Sequence, residues 1–148
     1  MQYTVGEMAK LVGVAPSTLR YYDKEGLLPF LERSQGGMRT FKDSDYEFLK
    51  IIECLKATGM QLKDIKKFIF MVLEGDCTIN ERLQLFLDQK KEVEKQMSLM
   101  EETLQTIKYK CWYYETAKKL GSTTQVDNIK NEDIPKEHQK VKIRLQKE

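Results

Sequence analysis

A short run of hydroxyl-bearing, basic and aromatic side chains near the start of the chain has the chemistry of a nucleic-acid contact. The run extends from Ser17 to Tyr22 and reads STLRYY. An arginine can donate paired hydrogen bonds to a phosphate or to a guanine edge, and tyrosine hydroxyls commonly fix the register of a phosphate backbone. Since Leu19 is expected to face the core, the other side chains predict a DNA contact made by Ser17, Thr18, Arg20 and Tyr21.

A second basic group surrounds a glycine-rich turn. The turn is Ser34-Gln35-Gly36-Gly37, and β-compatible segments flank it at 27–33 and 38–41. This pattern predicts a small hairpin. Arg33, Arg39 and Lys42 lie in or beside it. A basic hairpin next to a helix-turn-helix is a wing that contacts the DNA backbone, whereas a protein-binding domain with ordinary solvated charges would show the same pattern.

Three cysteines, Cys54, Cys77 and Cys111, are the nucleophilic side chains of interest. Their odd number and wide spacing favour a reducing compartment over a disulfide framework. We expect Cys54 on the flank of a buried helix face, with Lys50 one turn earlier, where an ammonium group favours the reactive thiolate. Two such thiols, if the fold brings them together, can bind a soft ion. The alternative for Cys54 and for Cys111 is packing as a small hydrophobic side chain.

Composition excludes several classes of protein. The 148 residues include 25 Lys+Arg and 23 Asp+Glu, so any nucleic-acid affinity must come from a local patch. No apolar run approaches the roughly 18 residues that span a bilayer, and the N-terminus does not resemble a signal peptide. We therefore expect a cytoplasmic protein without a membrane partner. The single histidine, His138, and the lack of a nucleophile–base set or phosphate loop predict no enzyme activity, no cofactor and no resident metal site.

Local signals in residues 1–75 predict a winged helix-turn-helix DNA-binding domain. Thr4 and Glu7 match a capping box that begins one helix, and Gly13 ends it. Pro16 suits the first position of a second helix that runs to about Lys24. After the hairpin, apolar periodicity predicts helices at about 43–58 and 62–73. Two short helices joined by a tight turn form a helix-turn-helix, and the predicted fold class is mainly α.

Residues 76–119 predict a dimerisation coiled-coil helix, which Thr78 and Glu81 begin with a second capping box. A heptad register fits, and all but two of its a and d positions are apolar, aromatic or cysteine. The a positions are Ile79, Phe86, Val93, Met100, Ile107 and Tyr114, and the d positions are Leu83, Lys90, Met97, Leu104, Cys111 and Lys118. One small domain cannot cover a stripe roughly 60 Å long, so the seam predicts a homodimer rather than a helix folded onto its own domain. Residues 120–148 predict a flexible polar tail.

Three segments closely resemble the MerR family of bacterial transcription regulators: TLRYYDKEGLL at 18–28, GMRTF at 37–41 and LKATGM at 55–60. The resemblance implies a winged helix-turn-helix head followed by a long antiparallel coiled-coil dimerisation helix. It also implies that the protein activates transcription by distorting double-stranded promoter DNA with an overlong spacer, and so serves RNA polymerase indirectly. The DNA-binding residues it implies are Ser17, Thr18, Arg20, Tyr21, Tyr22, Arg39 and Lys56.

The surroundings of Cys54, together with residues 74–76 and 109–114, resemble the branch of this family that answers to aldehydes and thiol-modifying stress. That branch relies on a single cysteine in this helix, so the resemblance implies that Cys54 senses the effector. One alternative is a metal-ion-responsive regulator of the same type that uses Cys77 and Cys111. A second alternative, from another class, is a winged-helix scaffold that binds proteins through its coil.

Overall fold

The computed structural model describes residues 1–146 and is mainly α-helical, with three short strands in that range. It divides into a first compact unit, Met1–Lys90, and a second that begins at Lys91. The elements are β1 (Gln2–Tyr3), α1 (Val5–Val12), α2 (Pro16–Lys24), β2 (Glu32–Arg33), β3 (Arg39–Lys42), α3 (Asp43–Ala57), α4 (Leu62–Glu74), α5 (Ile79–Leu120), α6 (Thr123–Asp127) and α7 (Lys136–Leu145).

The helix-turn-helix of the first unit forms where the local signals predict it. The Glu7 amide donates to Thr4 Oγ1 (3.3 Å), and the Thr4 amide donates to the Glu7 carboxylate (2.8 Å). This reciprocal capping lowers the pKa of Glu7, chiefly through the hydrogen bond from the Thr4 backbone. Gly13 ends α1 with a φ of 88°, a left-handed conformation that favours glycine. Pro16 then begins α2 at a position where its missing N–H costs nothing.

The wing is an antiparallel hairpin, as the glycine-rich turn predicts. In β2 and β3, Glu32 pairs with Thr40 and Arg33 pairs with Arg39. The short strand β1 pairs with the other edge of β3, giving the sheet order β1-β3-β2. Strand β1 was not expected, because two residues are too few to show alternation. Phe41 on β3 is fully buried and anchors the wing to the core.

The core of the first unit fills the space between α1, α2, α3, α4 and β3. The side chains with no exposed surface include Met8, Leu19, Phe41, Leu49, Ile52, Ile65 and Ile69. The buried face of α3 includes Leu49 and Ile52, whereas Ile51 is more than one-third exposed. The core therefore fixes the orientation of α2. Leu19 points inward, and the neighbouring residues Thr18 and Arg20 are directed away from it.

The junction between α4 and α5 differs from the predicted capping box. Gly75 takes a φ of 89°, and a 3₁₀ turn follows at Asp76–Thr78. The Thr78 hydroxyl donates to the carbonyls of Met71 (2.5 Å) and Gly75 (2.8 Å), so it caps the end of α4 rather than the start of α5. Helix α5 nevertheless occupies the predicted span and continues for 42 residues.

The second unit shows that the prediction of a flexible tail at 120–148 is wrong for its described part. Helices α6 and α7 bury Val126, His138 and Val141, and Ile134 is buried between them. The His138 ring lies 5.6 Å from the Trp112 ring on α5. The Arg144 guanidinium donates to Thr106 Oγ1 (2.6 Å), also on α5. Apolar residues too sparse to form a core alone are thus sufficient to cover an aromatic face of α5.

Within residues 1–146, no helix combines the length and the apolar character needed to cross a membrane. Helix α5 is the longest, and charged residues recur throughout it.

Candidate nucleic-acid interface

Helix α2 presents most of the predicted contact residues to solvent. Ser17 and Arg20 are exposed, Thr18 is half-buried, and the Tyr21 side chain is about half exposed, at 47%. Their outward orientation follows from the burial of Leu19 and Tyr22, three residues apart on the opposite face of the helix. A helix held on its apolar side with hydroxyl, guanidinium and phenol groups outward can enter a major groove and contact both bases and phosphates.

Tyr22 is the exception, because the structure buries this side chain, which the resemblance implies as a DNA contact, instead of presenting it to solvent. Only 1% of the residue is exposed. Its hydroxyl donates to the Glu53 carboxylate (2.5 Å) and accepts from the Lys56 ammonium (2.9 Å), both on α3. Burial, reinforced by Glu53, raises the pKa of Tyr22 well above its usual range. Tyr22 therefore connects α2, the second helix of the helix-turn-helix and hereafter the recognition helix, to α3.

Lys56 is exposed, and its ammonium lies 5.3 Å from the centre of the Tyr22 ring. The predicted phosphate contact thus has its charge directed toward α2, where Tyr22 holds it by a hydrogen bond and a cation–π contact. A lysine ammonium has three donors, so the bond to Tyr22 leaves donors for a phosphate.

Arg20 and Arg39 line one cleft with a volume of about 630 Å³. The start of α1 and the tip of the wing complete this cleft, whose other lining residues are Gln2, Tyr3, Thr4, Val5, Gly6, Glu7, Gly37, Met38 and Thr40. The structure therefore brings together one arginine of the recognition helix and one of the wing, although 19 positions separate them in the chain. Two guanidinium groups at one cleft can grip a phosphodiester backbone.

An ion-pair cluster holds the wing to the recognition helix. One oxygen of Asp23, in the last turn of α2, accepts from Arg39 Nε (2.7 Å) and from Arg33 Nη2 (2.8 Å). A separate ion pair joins Lys42 to Glu32 across the hairpin. The pairing of Asp23 was not predictable from the sequence, because no local pattern reveals a contact between residues 10 and 16 positions apart.

Cys54 is exposed on α3, next in sequence to Glu53. The expected partner Lys50 directs its ammonium toward the Val12 carbonyl at the end of α1 (3.4 Å). The structure therefore does not show Lys50 activating the Cys54 thiol. It does show that the residue is accessible to solvent. Cys77 and Cys111 are exposed as well. Among the described residues, no group of three or more His, Cys, Asp or Glu side chains is placed to hold a metal ion.

A helix-turn-helix with an outward basic face and a basic wing beside it defines a winged-helix nucleic-acid-binding protein. Comparison with known families makes the class specific. Residues 3–69 match the family described as MerR HTH family regulatory protein. The chain is also 46% identical to an uncharacterized HTH-type transcriptional regulator of Haemophilus influenzae, over 86% of this chain and 94% of that one. The chain belongs to the MerR family of helix-turn-helix transcription regulators.

Solved structures support the same assignment. A crystal structure of HiNmlR, a MerR family regulator lacking the sensor domain, bound to promoter DNA, has a TM-score of 0.81 and 45% identity, covering 88% of this chain and 98% of that one. A MerR family transcriptional regulator from Bacillus thuringiensis has a TM-score of 0.70 and 42% identity, covering 75% of this chain and 97% of that one. The predicted fold class and family are confirmed, and these relatives are regulators rather than enzymes.

Proposed function

We propose that the protein is a homodimer that binds double-stranded promoter DNA through α2 and the wing and activates transcription by distorting an overlong promoter spacer. The observation that carries the DNA contact is the cleft that Arg20 and Arg39 share. Ser17, Thr18 and Tyr21 lie on the same helix as Arg20 and are outward, where they can reach base edges or phosphates. Lys56 adds a phosphate contact from α3. The similar HiNmlR structure is itself bound to promoter DNA.

An uncovered apolar face of α5 supports the dimer. In the first unit this face includes Ile79, Leu83 and Phe86, each at least 40% exposed. In the second unit it continues with five exposed seam residues, Met97, Met100, Leu104, Ile107 and Tyr114. A contiguous apolar stripe of this kind is rare on a monomer, because burying it gains roughly 25 cal/mol per Å². A second copy of α5, running antiparallel, supplies a matching stripe and sets two heads on one duplex.

The proposed dimer activates transcription by distorting the promoter DNA. Bending and untwisting a promoter spacer costs on the order of several kcal/mol, so only a dimer that grips both half-sites firmly can impose it. Realigned promoter elements then suit RNA polymerase without any direct contact between the two proteins. The effector shifts the dimer toward the distorting conformation by binding that conformation better.

Cys54 is the proposed effector-sensing residue, and an aldehyde or another electrophile is the proposed signal. Its thiol is exposed on the same helix that holds Tyr22 through Glu53 and Lys56. In an aldehyde reaction, the thiolate attacks the carbonyl carbon, a C–S bond forms as the C=O π bond breaks, and the resulting alkoxide oxygen takes a proton from water to give a hemithioacetal. An adduct at this position shifts α3 against α5 and so rotates the head.

Arginine substitutions test the DNA contact. Arg20→Ala and Arg39→Ala should each weaken binding to the operator about tenfold and lower the salt slope by about one per subunit, because each removes a phosphate-binding cation. Lys67→Ala, which removes an exposed cation from α4, is the matched control. If both arginine variants bind promoter DNA as the parent does, the assigned site is wrong. A winged-helix scaffold, the competing class, would show no steep salt dependence in the parent.

Cysteine substitutions test the sensor. Cys54→Ser should abolish the transcriptional response to formaldehyde while leaving DNA affinity unchanged, and Cys111→Ser should respond like the parent. A metal-ion-responsive regulator remains the second candidate because Cys77 and Cys111 are both exposed thiols. In that case Cys77→Ser and Cys111→Ser would abolish a response to a soft metal ion, and Cys54→Ser would not. A Cys54→Ser protein whose transcriptional response to formaldehyde is normal would eliminate the Cys54 hypothesis.

A further inference from the structure

The cross-strand pair Arg33–Arg39 is unusual, because like charges directly opposite each other destabilise a hairpin. Asp23 resolves this conflict from outside the hairpin, since one of its carboxylate oxygens accepts from both guanidinium groups. The Asp23 side chain is 16% exposed, that of Arg39 is 26% exposed and that of Arg33 is 51% exposed. The Asp23–Arg39 bond is therefore the more shielded of the two, and salt screens it less.

The two arginines use different atoms. Arg39 reaches Asp23 through Nε, so its two terminal nitrogens have no protein acceptor among the described residues. Arg33 reaches Asp23 through Nη2 and directs Nη1 toward the Gly37 carbonyl at 3.5 Å. The free edge of Arg39 is the pair of donors that forks onto a phosphate. The same guanidinium can thus bind Asp23 on one edge and DNA on the other.

From this geometry we infer that Asp23 is a positioning residue, which fixes the Arg39 guanidinium so that its terminal edge faces a DNA phosphate. The inference rests on the proposed function, and it adds a residue that itself makes no DNA contact. A carboxylate near the interface would be expected to repel DNA. Here, ordering Arg39 before binding outweighs that repulsion, because a flexible arginine loses rotamer entropy when it binds.

Substitution of Asp23 distinguishes electrostatic repulsion of the DNA from ordering of Arg39, because the two effects change DNA affinity in opposite directions. Asp23→Ala raises the net charge of each subunit by one, so charge alone predicts tighter binding and a steeper salt slope. We expect the opposite: about tenfold weaker binding to the operator, with a slope lowered by about one per subunit as the Arg39 contact is lost. Asp64→Ala on α4 removes a carboxylate with the same change of charge and should tighten binding slightly or leave it unchanged. Asp23→Glu should restore most of the affinity.

Two further measurements keep the inference distinct from a structural role and from the proposed function. In an Arg39→Gln background, Asp23→Ala should change affinity less than about twofold, since the contact it positions is already absent. An equal loss in both backgrounds would overturn the inference, and so would tighter binding or an unchanged salt slope in Asp23→Ala. If the parent and Arg20→Ala behave as proposed while Asp23→Ala binds more tightly, only the inference fails. If the parent itself shows no salt-dependent duplex binding, the proposed function fails and this inference with it.

Discussion

The hydroxyl of Tyr22 offers a sharp test of how the recognition helix is held. Tyr22→Phe removes one oxygen and keeps the ring, so core volume hardly changes. The substitution removes two hydrogen bonds with charged partners. The Tyr22 hydroxyl donates one to Glu53 (2.5 Å) and accepts the other from Lys56 (2.9 Å). A hydrogen bond to a charged group contributes about 1.5–3 kcal/mol when the partner is then left buried.

The expected cost is smaller than two such bonds, because Glu53 is half-buried and Lys56 is exposed. Both partners regain contact with water or with each other once the hydroxyl is gone. We therefore expect Tyr22→Phe to lower the free energy of unfolding by about 1–2 kcal/mol. The salt slope of DNA binding should stay unchanged, because Tyr22 is not a phosphate contact in this account.

Urea unfolding followed by circular dichroism gives the stability change, and fluorescence anisotropy with a labelled operator gives the salt slope. Tyr21→Phe is the matched control, since the Tyr21 side chain is about half exposed on the solvent-facing side of the same helix. That control should leave stability almost unchanged. A Tyr22→Phe protein as stable as the parent, or one with a lowered salt slope, would refute the interpretation of Tyr22 as a buried connection between α2 and α3.

Three further predictions concern dimerisation, the second unit and pH. Replacing Met97 and Met100 with glutamate places charges in the proposed seam, so sedimentation equilibrium should show weaker dimerisation of a still helical chain; an undisturbed dimer would contradict the seam. Val141→Ala opens a cavity where the buried Val141 side chain packs and should destabilise α7 by about 1–2 kcal/mol in amide exchange, with Lys140→Ala as control. Because folding raises the pKa of Tyr22 above the unfolded value of about 10, its stabilisation is complete below pH 10 and is lost above it. The stability difference between the parent and Tyr22→Phe should therefore narrow as the pH rises above 10, and a constant difference would contradict this.

The elements that local chemistry specifies were predictable from the sequence. A capping box, a proline and a positive-φ glycine are short-range signals, and they placed α1 and α2 at Val5–Val12 and Pro16–Lys24. The seven-residue repeat likewise predicted the span of α5. The burial of Tyr22 was also predictable, since its spacing of three from Leu19 places both residues on the buried face of α2.

Features that depend on distant partners were not predictable in the same way. Helix α7 packs the His138 ring against Tyr109 and Trp112 on α5, whereas its own composition is that of a solvated segment. Asp23 gains its role from two arginines that the hairpin brings together, so its position in the sequence carries no sign of it.

DNA binding by α2 and the wing can be measured through the salt dependence of binding to the DNA immediately upstream of the protein's own gene. The proposed phosphate contacts of Arg20, Arg39 and Lys56 amount to three per subunit and about six in the proposed dimer, which predicts a slope of log K against log salt near −5. Between about 50 and 200 mM salt the affinity should therefore fall about a thousandfold. An affinity that stays constant over this range, or a duplex that is not bound at low salt, would contradict the account.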